Sequence, residues 1–302
     1  MKEMGINMKK NIITGLIILM MITPIATAIP TVTNTVKESI NESNSFQENF
    51  THSVLTEYGT LTTCGPCVTA SSQLYSIYNS GDLDFYYVSL VWDKGNLHVR
   101  NRLTELEVTS VPDVHFDGGY KRLIGSQTSE QPYRTAISQC GTRDVPNIDV
   151  EVDVEWKGGG TLKITVTVMN NEPEEYNGHL RVYVVEKISR WNDNSGKPYH
   201  FGVLDIPVDR NLAVSEYQQQ CYKNALGDTY SFKKTWIGAL YGFGNITKEN
   251  TMVIASIFDP DSGHVVQTAA AEPTSSGRLF ITPLIRLQQL FLAIKALYNH
   301  FQ

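Results

Sequence analysis

Residues 54–79 read VLTEYGTLTTCGPCVTASSQLYSIYN, and the junction inside that stretch decides the fold expected of the chain. Residues 54–58 form a short apolar-leaning run of strand length, and residues 68–79 carry a helical pattern. Between them stands Cys64-Gly65-Pro66-Cys67, two thiols one helical turn apart. The first sits where strand gives way to helix, so unsatisfied N–H groups and the helix dipole point at its sulfur and favour thiolate over thiol. Cys64 is therefore the expected nucleophile, and Cys67, one turn further in on the buried side, the resolving thiol. Pro66 at the second helical position costs no intrahelical hydrogen bond and stiffens the loop.

Working outward, residues 83–91 are an uninterrupted apolar and aromatic run, the pattern of a central strand covered on both faces. Residues 96–106 can be helical, Val114-His115-Phe116-Asp117 is a strand ending in a turn at Gly118-Gly119, and residues 129–139 can form a last helix. Strand–helix alternation over residues 52–143 predicts an α/β domain with a buried sheet. Beyond Pro146 the period changes to two. Ile148, Val150, Val152, Val154 and Trp156 alternate with polar residues, Gly158-Gly159-Gly160 turns the chain, and Leu162, Ile164, Val166 and Val168 alternate again. With further runs at 180–188, 251–258 and 264–268, residues 146–272 are expected to form an all-β, Ig-like antiparallel sandwich. Residues 191–197 read as a polar loop, and 209–225 as a helical or irregular insertion.

The ends are of a different kind. Lys9 and Lys10, the apolar residues 12–25 and Ala26-Thr27-Ala28 make residues 1–28 a signal peptide, an uncleaved anchor being the other reading; both put the rest of the chain outside the cytoplasm. Residues 29–51, rich in Thr, Asn, Ser and Glu, read as a flexible tether. After a linker at 273–282, residues 283–301 form an amphipathic helix with Leu284, Leu287, Leu290, Phe291, Ile294, Leu297, Tyr298 and Phe301 on one stripe and Lys295 within it. That stripe needs a cover: the protein itself, a second copy, or a membrane surface, spanning the membrane being the least favoured reading.

A hydrophobic content of 41% and a charged content of 19% are those of a globular protein. The net charge of −6 becomes −8 once Lys2, Glu3, Lys9 and Lys10 leave with the signal, and with no basic patch nucleic acid is excluded as a partner. A zinc site would need a second ligand pair, whereas Cys140 and Cys221 stand alone. His98, His115, His179, His200 and His264 keep no ligand spacing, so no metal and no cofactor are expected.

The motif, its strand–motif–helix context and its export together resemble the thioredoxin superfamily over about residues 50–142. Ser110-Val111-Pro112-Asp113-Val114-His115-Phe116-Asp117-Gly118 is similar to that family's loop, in which a cis-proline precedes a strand and a hairpin, and Pro112 follows Cys64 by 48 residues. The resemblance implies that Pro112 packs beside the cysteine pair and that Val111 pairs its backbone with a substrate peptide, with Gly65 and Pro66 also facing substrate. Two departures matter. Thr63 stands where the family usually has Trp, and the buried acid kept by many members is represented only by Glu57-Tyr58. Glu57 is a candidate proton acceptor for Cys67, or simply a solvated strand end. An exported domain of this kind followed by a β-sandwich also resembles Omp28-like proteins, residues 180–205 adding to that likeness.

These readings converge on an extracytoplasmic thiol–disulfide oxidoreductase that exchanges disulfides with exported proteins, a membrane redox partner supplying electrons where it acts as reductant. Whether it oxidises, reduces or isomerises is not legible. The competing reading is a secreted or cell-surface binding protein whose thioredoxin-like domain is a scaffold and whose sandwich binds a partner. Cys140 and Cys221 are expected to pair as a structural disulfide, with free thiols or an intermolecular bond as alternatives.

Overall fold

The computed structural model describes residues 50–173, 176–212 and 228–275. The signal peptide, the tether up to residue 49, Cys221, most of the 209–225 insertion and the 283–301 helix lie outside the described residues.

Strand β1 (Val54–Thr60), every residue of which is buried, leads through the cysteine motif into helix α1 (Gly65–Ser80), which Gly81 ends in the left-handed conformation at φ 67°. Strand β2 (Phe85–Val91) lies parallel to β1, Val54 facing Phe85 and Thr60 facing Val91. Helix α2 (Leu97–Glu105) starts at Asn96, whose side chain accepts from Val99 N at 3.1 Å. Strands β3 (Asp113–Phe116) and β4 (Lys121–Ile124) then extend the sheet antiparallel on the other side of β1, and helix α3 (Gln131–Gly141) follows. The last tether residues are tied down where Thr51 N donates to Gly141 O at 2.7 Å.

Strands β5 (Ile148–Gly158) and β6 (Thr161–Asn170) form the hairpin that the triple glycine announces, Gly158, Gly159 and Gly160 all having positive φ. Strand β9 (Asp228–Ile237) pairs with β6, and the two-residue β12 (Thr274–Ser275) with β5, completing a four-stranded sheet ordered β12-β5-β6-β9. The remaining strands, β7 (His179–Asn192), β8 (Pro198–Asn211), β10 (Thr251–Phe258) and β11 (Val265–Ala271), join the first sheet. It becomes a mixed eight-stranded sheet ordered β11-β10-β7-β8-β2-β1-β3-β4.

This overturns the fold class expected from sequence, an α/β domain followed by an independent Ig-like antiparallel sandwich. The described residues are mostly β with three α-helices, and one sheet runs through both halves. The join lies between β2 and β8, where Ser89 faces Gly202 in parallel and Ser89 Oγ donates to His200 O at 2.8 Å. On its other side Gly202 leaves room for β7, since a Cβ there would meet Ser189 Oγ at 2.5 Å. The physical reason is visible in β7. Tyr183 and Val185 belong to the core cluster that includes β1 and α1, whereas Val182 and Val184 belong to the cluster shared with β5 and β6. A strand buried on both faces is apolar throughout, so its pattern does not reveal which strands flank it. Asp205 of β8 ties the layers together, accepting from Asn96 Nδ2 at 2.7 Å, Ile206 N at 2.9 Å and Trp236 Nε1 of β9 at 2.7 Å.

Candidate functional site

The parallel strands β1 and β2 end side by side, with Trp92 N donating to Thr60 O at 2.9 Å. Past that point the chain makes a turn, Cys64 N donating to Leu61 O at 3.1 Å, before entering α1. Asp93 accepts from Thr62 N at 3.1 Å and from the Thr62 hydroxyl, and Tyr199 Oη donates to Leu61 O at 2.8 Å. The segment before the motif is thus held from the chain just past β2 and from β8.

Cys64 is the N-cap residue of α1, with φ −85° and ψ 110°, and its Sγ accepts from Cys67 N at 3.2 Å. The sulfur satisfies a helix-start N–H that would otherwise lack a partner, which is the interaction that favours thiolate once the pair is reduced. Cys64 and Cys67 are joined as a disulfide with their Cα atoms 5.3 Å apart. Cys64 is half-buried and Cys67 wholly buried, so an incoming sulfur meets Cys64 first. Gly65 and Pro66 are exposed between them. On the inner side Tyr58 Oη donates to Cys67 O at 2.8 Å, and burial pushes the Tyr58 phenol well up, so it stays a neutral donor.

The Val111–Pro112 peptide bond is cis, and Gly125 N donates to Pro112 O at 2.8 Å. Cys64 Sγ lies 3.7 Å from Val111 O. As half of a disulfide this sulfur carries no proton, so the approach is a contact; the reduced thiol can donate there. Cys64, Cys67, Val111 and Pro112 are therefore brought together, with Gly65 and Pro66 on the open side.

Glu57 lies elsewhere. Successive residues of β1 point to opposite faces, and Glu57 is wholly buried on the face away from Tyr58. Arg102 donates to both of its oxygens, Nε to Oε1 at 2.7 Å and Nη2 to Oε2 at 2.6 Å, and Tyr183 Oη donates to Oε1 at 2.7 Å. Burial acts to raise the Glu57 pKa, but the charge and hydrogen bonds of Arg102 outweigh it and hold the carboxyl below its ordinary value. It is the anchor of an ion network and not a proton acceptor beside Cys67. Cys140 is a wholly buried thiol joined by a disulfide to no described residue, and its expected partner Cys221 lies outside the described residues; burial and neighbouring Asp117 push its pKa up, away from reactivity.

Tyr58, Asp93 and Tyr199 are the site residues that sequence reasoning passed over. Tyr58 was within reach, since it alternates with Glu57 on the strand that leads to the motif. Tyr199 was not: it lies 138 positions from Leu61, with no local pattern linking the two. Among the described residues no group of three or more His, Cys, Asp or Glu is placed to hold a metal ion, and no helix is long and apolar enough to cross a membrane.

No family model and no curated protein matches the chain. Among solved structures, HBP35 of Porphyromonas gingivalis is 15% identical and aligns over 78% of this chain and 81% of its own with a TM-score of 0.56, a likeness of fold. A protein of Agrobacterium tumefaciens is 11% identical over 76% of this chain and 97% of its own, at a TM-score of 0.48. A domain of the outer membrane lipoprotein Omp28 from Porphyromonas gingivalis is 13% identical over 45% of this chain and 96% of its own, at 0.26. At those two scores neither adds to the fold argument.

Proposed function

We propose that this chain is an extracytoplasmic thiol–disulfide oxidoreductase that exchanges disulfides with exported proteins. The observation that carries the reading is the Cys64–Cys67 disulfide with its half-exposed sulfur accepting Cys67 N–H at 3.2 Å at the start of a helix. The cis Val111–Pro112 bond beside it, which matches the loop of the thioredoxin superfamily, supports the same chemistry. The signal-like residues 1–28 support export, and with it clients that are themselves exported.

In the reducing direction the Cys64 thiolate attacks one sulfur of a client disulfide, forming a mixed disulfide and releasing the other client sulfur as thiolate, which takes up a proton. Cys67 then loses its proton and attacks Cys64 Sγ, expelling the second client thiolate and closing the Cys64–Cys67 disulfide. Two electrons pass from the pair to the client; the oxidising direction is the reverse, and a membrane redox partner is the candidate for resetting the pair.

With insulin as the disulfide probe and dithiothreitol as electron source, the wild-type protein should accelerate reduction and Cys64→Ser should not. Cys67→Ser should accumulate a mixed disulfide that reductant releases, because attack proceeds while resolution fails. Activity retained in Cys64→Ser, or a wild type inert toward insulin and toward scrambled client proteins alike, would overturn the reading and leave a binding protein on a redox-like scaffold.

A further inference from the structure

We propose that Tyr199, which comes from β8 in the far half of the chain, is a positioning residue for the Cys64–Cys67 pair; this deepens the exchange reading and rests on it. A phenol has a single proton to give. Leu61 O, 2.8 Å from Tyr199 Oη, can only accept, so that proton goes to Leu61. The Thr60 hydroxyl, 2.9 Å from Tyr199 Oη, must then donate to the phenol oxygen. Both side chains are wholly buried, so no solvent competes for these bonds.

Leu61 O has a second donor, the amide of Cys64 at 3.1 Å. One carbonyl is therefore shared between Tyr199 and the residue whose sulfur is the nucleophile. That sulfur caps α1 only while Cys64 holds the extended backbone that its φ of −85° and ψ of 110° describe. The turn that delivers it has little packing of its own, since Thr63 is exposed. Strand β8 supplies the restraint. The Tyr199 ring also meets the Tyr58 ring edge-on at 6.4 Å, and Tyr58 bonds Cys67 O at 2.8 Å. Two buried tyrosines thus hold the motif at both ends, one through the turn before Cys64 and one through the carbonyl of Cys67.

Tyr199→Phe removes the donor to Leu61 O and leaves the Thr60 proton without a partner. The turn then loosens, and the Cys67 N–H is presented less well to Cys64 Sγ. The test is the rate of Cys64 alkylation by iodoacetamide in the reduced full-length protein, resolved by peptide mass and measured across pH. Tyr199→Phe should slow Cys64 by about three- to tenfold near neutral pH and move its titration midpoint upward. Thr60→Ser, which keeps the hydroxyl, should follow the wild type. An unchanged Cys64 profile in folded Tyr199→Phe would overturn the proposal, whatever happens to its melting temperature. So would a shift in Thr60→Ser as large as that in Tyr199→Phe. Should Tyr199→Phe fail to fold, hydrogen exchange on the wild type decides: a Cys64 amide that exchanges like free loop overturns the proposal, and one protected like those of β1 supports it. Alkylation reads Cys64 without any client, so inactivity toward every disulfide substrate would sink the exchange reading and leave this result standing.

Discussion

The two faces of β1 treat their polar groups in opposite ways. On the Glu57 face, charges are paired and sealed. Arg102 grips Glu57 and also donates to Glu105 at 2.9 Å; Arg181 reaches Glu105 at 2.8 Å and Asp209 at 3.0 Å; and both guanidinium groups lie over the Phe258 ring, at 5.2 and 4.9 Å. On the Tyr58 face, the hydrogen bonds that reach the cysteine motif come from uncharged donors: Tyr58 Oη, Tyr199 Oη and the backbone amides. The difference teaches that the densest ion pairing in this fold ties its two halves together, while the cysteine motif is held by neutral donors with one carboxylate, Asp93, gripping Thr62 at its edge. A full charge shifts the thiolate balance of a neighbouring cysteine, whereas neutral donors mainly fix its geometry. Buried ionisable groups with displaced pKa values often mark active sites; here they occur on both faces, Glu57 in the clamp between the two halves of the chain and Tyr58 and Tyr199 beside the cysteine motif.

The largest expected effect separates the faces outright. Cys64→Ser should take disulfide exchange to the uncatalysed rate and leave urea unfolding of the oxidised-pair-free protein close to that of reduced wild type. Glu57→Gln should do the reverse. It takes the buried, bidentate counter-charge from the Arg102 guanidinium, which keeps only the half-exposed Glu105, a loss of up to about 3–5 kcal/mol in urea unfolding, while exchange per folded molecule stays at the wild-type rate. The double variant Glu57→Gln with Arg102→Met should recover part of that loss, since replacing both partners removes the stranded charge. If Glu57→Gln instead lowered exchange while sparing stability, the division between the faces would be wrong and Glu57 would belong to the redox chemistry after all.

Much of the cysteine corner was legible because it is local. Strand, motif and helix follow one another within residues 54–80, and the Pro112 loop was found through the spacing and sequence of residues 110–118. The β5–β6 hairpin was legible for the same reason, its alternation and triple glycine lying within one short stretch. What was not legible is what the chain closes over long separations. Nothing in residues 198–211 says that β8 will lie beside β2, because Phe201, Val203 and Ile206 face one core while Leu204 and Val208 face another, erasing the alternation that would have marked an ordinary sandwich strand. Glu57 read as a proton acceptor or a solvated strand end because its partners, Arg102 and Tyr183, lie 45 and 126 positions away. The expected Cys140–Cys221 disulfide has one end outside the described residues; Cys140 itself sits inside α3 as a small buried side chain.

A smaller effect sharpens the Tyr58 face itself. Tyr58→Phe removes the second donor to Cys67 O, which keeps its helical bond within α1, at about 0.5–1.5 kcal/mol for one buried hydrogen bond. Because Tyr58 holds Cys67 and not the turn before Cys64, this variant should slow the resolving step more than the attack. In a stopped-flow experiment with a client disulfide, the mixed disulfide should therefore persist longer than in wild type. Equal slowing of both steps would mean that the two tyrosines act as one packed unit and not at separate ends of the motif.

The smallest expected effect lies at the rim of the charged face, where His179 Nε2 and Asp209 Oδ1 form an ion pair. Burial acts to raise the Asp209 pKa, but the hydrogen bond from His179 and the charge of Arg181 outweigh it and bring the value from 3.8 down to about 2. The hydrogen bond to Asp209 is the leading cause that raises His179 above its ordinary 6.5. A depressed acid contributes stability that is complete above its unfolded value and lost as pH falls through the folded one. A raised histidine contributes stability that is complete below its unfolded value and lost as pH rises through the folded one. The pair therefore contributes most between pH 3.8 and 6.5. Both side chains are partly open to solvent, which holds the contribution under about 1 kcal/mol. Urea midpoints of wild type and Asp209→Asn should differ most near the middle of that window, converge toward acid, and draw closer again in alkali as His179 loses its proton and only Arg181 still pairs with Asp209. Glu57→Gln should show no such alkaline convergence, because Arg102 keeps its charge throughout. An Asp209→Asn difference that stayed constant into alkali would mean that Arg181 alone holds Asp209, making the rim a plain extension of the sealed network beneath it.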